Sequence, residues 1–183
     1  MIRVLGLDLS ITATGVCLPG GRTYTIRGKA ADGDRRLADI RYRLRADAED
    51  ADLAVIEDLP THAHAAGITG MVHGAVRSLL LELEVPYVLV TPATLKAFAT
   101  GKGNCDKAAM ILAAYKRGGI TFTDDNRCDA WWLWQAGLWQ TGPSPDRVPL
   151  PEAQRARLDK ANWSAAQAVT LAVKLRERAA QGF

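Results

Sequence analysis

The sequence predicts an α/β fold with one five-stranded sheet, and three observations support this. The chain has 183 residues, enough for one domain or for one domain with an appendage. Two short apolar runs, residues 4–7 and 53–56, each end on a carboxylate, Asp8 and Glu57. Continuous rather than alternating apolar residues are typical of strands that are covered on both faces. Segments with helical signals follow these runs, so the pattern indicates a sheet between layers of helices.

The first third of the chain predicts three antiparallel strands and then a helix. Residues 2–7 and 15–18 are the first two extended runs, and a third run begins at Tyr24 after the turn signal at residues 19–21. Apolar residues then recur at helical spacing, at Leu37, Ile40 and Leu44. The arginines on the other face of this helix have acidic neighbours, as on an ordinary solvated surface.

The middle of the chain predicts helices and strands in alternation. A helix is expected over residues 68–84 and a strand over residues 85–90. Thr91 followed by Pro92 is typical of a helix start, and a further helix is expected to begin near Lys107. The helix over 68–84 contains small residues, among them Gly70 and Gly74, which permit close approach of another helix. That helix belongs either to the same chain or to a second copy.

Four carboxylates are candidates for chemistry. If the strands before Asp8 and Glu57 are adjacent and parallel, these two side chains stand side by side. Like charges at that distance repel and raise a pKa unless a cation lies between them. Asp125 and Asp129 are four residues apart and share one face of a predicted helix. Two structural explanations remain open: hydrogen bonds from a turn to Asp8, and the helix dipole for the two aspartates.

A Gly/Lys loop at residues 100–104 precedes a predicted helix start at Asp106 and Lys107. Free backbone N–H groups, Lys102 and a helix N-terminus together form a plausible phosphate cradle. The loop lacks the spacing of a Walker P-loop, and a plain turn with a lysine is the alternative. His62 and His64 lie on a loop and are weaker candidates, better explained as loop residues or phosphate contacts than as metal ligands.

Composition limits the remaining classes of protein. The formal net charge of +3 permits a polyanionic partner without requiring one. Three cysteines without a CxxC motif argue against a disulfide framework or a zinc site. With neither a secretory signal nor a membrane-spanning run in the sequence, we expect a cytoplasmic protein. Residues 141–145 resemble a linker, and residues 151–183 are predicted to be helical, with six Lys or Arg against three Asp or Glu.

The order of these motifs is similar to that of the ribonuclease H-like nuclease superfamily. Within it, the chain resembles RuvC-type Holliday junction resolvases, most closely their phage-type members. The resemblance covers about residues 1–140 and rests on four segments: 5–8 with 14–15, 56–57, 90–107, and 125–130. It implies a ribonuclease H-like fold with a mixed sheet, three antiparallel strands then parallel strands, and helices on both faces. It further implies a nuclease domain over 1–142, with 143–183 as linker and basic helical tail outside the match.

The resemblance implies a Mg²⁺-dependent endodeoxyribonuclease that acts as a homodimer on four-way DNA junctions. Its metal site takes two Mg²⁺ ions, for which Mn²⁺ substitutes, and the matching residues are Asp8, Glu57, Asp125 and Asp129. Oxygen ligands of this kind suit magnesium. The residues matched to DNA binding are Lys96, Lys102, Asn104 and Lys107.

Besides the tail outside the match, the sequence departs from the family pattern in two places. The fourth metal residue usually stands three positions before the last aspartate, where this chain has Asn126, so Asp125 is the expected substitute. The aromatic wedge after the second carboxylate is replaced by Pro60 and Thr61. Alternatives are a related nuclease for flaps, replication forks or structured RNA, and a non-catalytic DNA-binding module. An actin-like ATPase would need a second comparable domain, for which 183 residues leave no room.

Overall fold

The computed structural model describes residues 1–59 and 66–180. These two ranges contain five strands: β1 (Val4–Asp8), β2 (Ala13–Cys17), β3 (Thr23–Arg27), β4 (Leu53–Glu57) and β5 (Tyr87–Val90). The helices of the described residues are α1 (Arg35–Glu49), α2 (Ala66–Glu82), α3 (Pro92–Thr100), α4 (Lys107–Gly118), α5 (Asp125–Thr141), α6 (Glu152–Arg155) and α7 (Ser164–Ala180). Two 3₁₀ turns span Ala30–Asp32 and Ala156–Lys160.

The strands form one mixed sheet in the order β3-β2-β1-β4-β5. The pairs β1–β2 and β2–β3 are antiparallel, as tight turns between consecutive strands allow. The pairs β1–β4 and β4–β5 are parallel; α1 directly precedes β4, and α2 lies between β4 and β5 in the chain. The expected sheet of three antiparallel strands followed by parallel strands is confirmed.

Helices cover both faces of the sheet, as expected, because alternate strand residues point to opposite faces. On one face, Leu5 and Leu7 of β1 pack in a buried cluster with Ile40 of α1 and Val76 of α2. On the other face, α3, α4 and α5 form a second cluster with strand residues such as Val4, and it includes the fully buried Trp131 and Trp132. The central strands are therefore shielded on both sides.

Two glycines let α5 lie directly on the sheet. A Cβ atom on Gly6 of β1 would overlap the carbonyl oxygen of Ala130, and one on Gly15 of β2 would overlap the carbonyl oxygen of Asn126. Glycine permits this approach because it has no side chain. The N-terminal turns of α5 are therefore held against β1 and β2 by backbone contact.

The C-terminal tail packs on the same core as the rest of the chain. Leu158 is fully buried, Trp163 is nearly so, and both belong to the cluster that contains α5. Trp163 Nε1 donates a hydrogen bond of 2.7 Å to the carbonyl oxygen of Leu158. Upstream, the guanidinium groups of Arg147 and Arg155 lie over the Trp139 ring at 4.7 and 4.9 Å. No helix within the two described ranges is long and apolar enough to cross a membrane.

Candidate active site

Asp8 and Glu57 lie at the carboxyl ends of two neighbouring parallel strands. Leu7 of β1 pairs with Ile56 of β4, so the next residue of each strand is one of the two acids. Asp8 is two residues after Gly6 and therefore points to the face of the sheet on which α5 lies. The strand register thus brings two carboxyl groups together under the start of α5.

The carboxyl groups of Asp8 and Glu57 contact each other, and this contact raises the pKa of Asp8 and lowers that of Glu57. Burial raises the pKa of Asp8 well above its usual value, and the charges of Glu57 and Asp129 raise it further. Burial, followed by the charge of Asp129, raises the pKa of Glu57 to about 7. Two acids so close together retain a proton between them unless another positive charge intervenes.

Asp129 brings a third carboxyl group from the second turn of α5. Burial raises its pKa to about 6, although the positive charges of Lys107 and Lys96 act in the opposite direction. The charge of Asp129 in turn raises the pKa values of Asp8 and Glu57. The cluster of Asp8, Glu57 and Asp129, called here the acidic cluster, therefore gathers like charges from β1, β4 and α5.

The chemistry of this donor set fits a hard divalent cation, because carboxylate oxygens are the ligands that magnesium prefers. A cation between the three groups would also offset the burial of their charges and the repulsion that helps to raise the pKa values of Asp8 and Glu57. The side chains are nonetheless not arranged as a ligand shell. Among the residues that the structure describes, no group of three or more His, Cys, Asp or Glu is positioned to hold a metal ion. Asp8 and Glu57 bind each other instead.

Asp125, the expected fourth metal residue, forms an ion pair with Lys107. Asp125 lies in the first turn of α5, and Lys107 is the first residue of α4. Asn126, the competing candidate, donates from Nδ2 to Asp124 Oδ1 at 3.1 Å. The amide of Asn126 is thus engaged by the residue that caps the helix, whereas Asp125 is linked to a lysine whose charge acts on the acidic cluster.

Sequence analysis missed the part that Asp124 plays in positioning α5. Asp124 is the N-cap, and its Oδ1 accepts a hydrogen bond of 3.0 Å from the backbone N–H of Asn126. Its Oδ2 accepts from Thr25 at 2.9 Å and pairs with Arg27 at 2.6 Å, both on β3. Hydrogen bonds and the charge of Arg27 lower the pKa of Asp124 despite burial. The signal in the sequence that could have predicted this N-cap is an aspartate directly before a helix.

Comparison with solved structures finds the same architecture. One match is the RuvC protein of Thermus thermophilus in complex with a Holliday junction substrate, with a TM-score of 0.63 and 19% identity over 73% of this chain and 91% of that one. A second match is another structure of Thermus thermophilus RuvC, with a TM-score of 0.60 and 17% identity, which also covers 73% of this chain and 91% of that one. The chain has the RuvC fold. No protein-family model and no curated protein matched it.

On this RuvC fold, two of the residues expected to bind DNA lie near the acidic cluster. The charge of Lys96 on α3 lowers the pKa of Glu57 and of Asp129, and the charge of Lys107 lowers the pKa of all three acids. Lys102 and Asn104 are exposed on the loop between α3 and α4. Both backbone groups of Lys102 contact Thr100 Oγ1 at 3.2 Å, which fixes the start of that loop.

Four residues that the sequence indicated as candidates lie outside the residues that the structure describes. They are the candidate ligands His62 and His64, and Pro60 and Thr61 at the expected wedge position. The segment that contains them connects β4, which ends on Glu57, to α2.

Proposed function

We propose that this protein is a structure-specific endodeoxyribonuclease that resolves four-way DNA junctions by hydrolysing two phosphodiester bonds. The observation that carries the proposal is the acidic cluster, which gathers three buried carboxyl groups with raised pKa values from β1, β4 and α5 of a RuvC fold. A protein with no use for a bound cation gains nothing by burying three like charges together. The RuvC structure with a Holliday junction substrate supports a branched DNA as the substrate.

Asp8, Glu57 and Asp129 would hold two Mg²⁺ ions, with Asp125 as the fourth ligand once Lys107 turns to a DNA phosphate. Bound there, the ions would supply an activated water and neutralise the charge on the leaving 3′ oxygen. The chain's own residues would then hold the DNA. Lys96 and Lys107, whose charges act on the carboxylates, would bind phosphates next to the cut. Lys102 and Asn104 would extend this contact along the loop.

We further propose a homodimer whose seam is the exposed face of α2. A Cβ atom on Gly67, Gly70 or Gly74 would meet no described atom within 4 Å, so these glycines do not pack against the described part of their own chain. Ile68 and Met71 on the same helix are 52% and 42% exposed. A two-fold dimer presents two identical sites, as paired cuts in a four-way junction require. We expect such an enzyme to work in the cytoplasm, where the DNA is.

The test is cleavage of a synthetic four-way junction with Mg²⁺ and with EDTA. We expect cutting only with the metal, and we expect Asp8→Asn to abolish cutting while it leaves junction binding intact, because it removes charge from the cluster but no phosphate contact. Asp146→Asn is the matched control, since Asp146 is exposed and borders a hollow with Met1 and Arg3 at the other end of β1. Cutting by the Asp8→Asn protein, or in EDTA, would refute the mechanism.

The same assay distinguishes the alternative substrates. Flaps, replication forks and structured RNA are offered beside the junction at equal concentration. Preference for one of them over the junction would assign the protein to that substrate. Binding of the junction without cutting, in both Mg²⁺ and Mn²⁺, would leave a non-catalytic DNA-binding module.

A further inference from the structure

The C-terminal tail forms one wall of a groove beside α3, and this wall is basic. The other wall and the floor consist of small residues of α3 and of the loop that follows it, including Ala93, Ala97 and Gly103. Arg157 and Lys160, from the 3₁₀ turn between α6 and α7, complete the groove. These residues belong to the segment outside the motifs of the nuclease domain, so the tail adds a surface that the domain alone lacks.

The tail wall is held rigidly in place. Leu158, between the two basic residues, is fully buried beneath them and accepts the hydrogen bond of Trp163 Nε1. Gln154 is also buried, and its Nε2 lies 3.7 Å from the position that a Cβ on Gly101 would take. The turn is therefore anchored next to the loop that carries Lys102. A fixed cation on a rigid element loses less conformational freedom on binding than one on a free chain end.

The charges of the groove are available to a ligand. Arg157 and Lys160 are both exposed, and neither forms an ion pair with any residue of the described ranges. Small residues on the facing wall permit a bulky backbone to approach closely. Arginine and lysine on such a surface are suited to phosphate groups. An anionic, extended ligand matches this groove better than an apolar or a cationic one.

The groove also lies next to the acidic cluster. Helix α3 begins two residues after Val90, which pairs with Glu57 in the sheet, and the charge of Lys96 on α3 reaches both Glu57 and Asp129. One helix therefore separates the groove from the candidate cutting site, a distance of roughly 10 Å. A DNA strand that passes the carboxylates would reach the groove within a few nucleotides.

We infer that Arg157 and Lys160 form an accessory DNA-binding site, which holds the sugar–phosphate backbone of a junction arm next to the cutting site. This inference rests on the proposed function, because it presupposes DNA at the acidic cluster. Contacts to phosphates are independent of base sequence, so the site adds affinity and orientation but no sequence preference. The tail is then a working part of the DNA-binding surface rather than an appendage.

The test measures junction binding as a function of salt, in Ca²⁺ to prevent cutting. The double variant Arg157→Gln/Lys160→Gln removes both cations. Since each phosphate contact contributes about 0.9 to the slope of log K against log salt, we expect the slope to become shallower by about 1.8. We expect affinity near physiological salt to fall on the order of ten-fold. Arg157→Lys, which keeps the charge, should retain the wild-type slope.

The control variant Arg176→Gln/Arg178→Gln loses the same charge at a different place. These arginines are exposed on the second half of α7, which lies next to Met1 and Thr141 at the opposite end of the sheet. We expect it to keep the wild-type slope. Equal slopes in all variants, or an equal change in both double variants, would overturn the inference while junction cutting by the wild type still supports the resolvase. A wild type that binds no branched DNA would overturn both.

Discussion

Lys107 forms an ion pair with Asp125, which joins the first turn of α4 to the first turn of α5. The same lysine lowers the pKa values of Asp8, Glu57 and Asp129. One cation therefore acts on four carboxylates that come from three elements of the fold. The pair also connects a residue proposed to bind DNA with a residue proposed to bind metal.

The first prediction concerns the fourth metal residue. If Asp125 holds an ion, Asp125→Asn removes a ligand charge, and the Mg²⁺ concentration for half-maximal cutting should rise about ten-fold or more. Asn126→Ala should leave that concentration unchanged, because the amide of Asn126 contacts Asp124. Cutting rates over a Mg²⁺ titration provide the measurement. The opposite result for the two variants would move the assignment to Asn126.

The second prediction concerns the stability of the metal-free protein at different pH values. The folded pKa values of Glu57 and Asp129, about 7 and about 6, lie above the ordinary values of 4.5 and 3.8, so between pH 4 and 7 the folded state binds more protons than the unfolded state. The free energy of unfolding should therefore fall as pH rises through this range, by about 2 to 4 kcal/mol from these groups. Urea unfolding in EDTA at pH 5 and pH 8 measures it.

Two comparisons assign that pH dependence to the acidic cluster. Asp8→Asn should weaken it, since the variant removes a buried carboxyl group whose own pKa lies well above its usual value and which therefore binds a proton in the folded state. Addition of Mg²⁺ at pH 8 should raise the free energy of unfolding of the wild type and leave that of Asp8→Asn nearly unchanged. A wild-type protein whose free energy of unfolding in EDTA does not fall from pH 5 to pH 8, or falls by no more than that of the variant, would contradict the prediction.

The third prediction concerns the contact between α5 and the sheet. Gly6→Ala places a Cβ that overlaps Ala130 O and lies 2.7 Å from Trp134 N, both in helix backbone that has little room to move. We expect a loss of about 3 kcal/mol or more in the free energy of unfolding, measured by urea denaturation. Gly74→Ala is the matched control, because no described atom lies within 4 Å of the new Cβ. It should stabilise the fold by about 0.5–1 kcal/mol.

The fourth prediction concerns the dimer. Gly74→Arg adds a long charged side chain to the exposed face of α2 without a clash inside the described part of the protomer. We expect a folded monomer with a thermal midpoint near that of the wild type, and junction cutting reduced to single nicks. Light scattering at micromolar concentration measures the mass. Ala172→Arg, on the exposed face of α7, is the control and should remain a dimer. A dimeric Gly74→Arg protein would place the seam elsewhere.

The sheet and the three acids of the cluster were predictable from local signals. The runs before Asp8 and Glu57 are short and wholly apolar, and each ends on a carboxylate, so two parallel strands suffice to bring these two acids together. The acidic start of a later predicted helix indicated Asp129 as the third. The partner of Asp125 was not predictable. Lys107 is 18 residues away, and the pairing depends on how the loop after α3 directs the start of α4.

The role of the tail was predictable only in part. Its composition indicated a basic helical segment, which the structure contains as α6, a 3₁₀ turn and α7. Leu158 and Trp163 belong to the same buried cluster as residues far away in sequence, such as Phe98 of α3 and Trp132 of α5. The spacing of apolar residues within the tail does not indicate which distant residues they contact. The groove between the tail and α3 could therefore not be predicted from the sequence.

Helix α5 contributes both to the acidic cluster and to the core: it carries Asp129 on its second turn, and it buries Trp131 and Trp132. A helix of this kind opens to solvent only when the whole molecule unfolds. Heat inactivation and global unfolding should therefore share one midpoint, with no inactive but folded species between them. A substitution at one of these tryptophans would therefore have two effects. It would lower the free energy of unfolding, and it would shift the carboxylate of Asp129, which lies about one helical turn away.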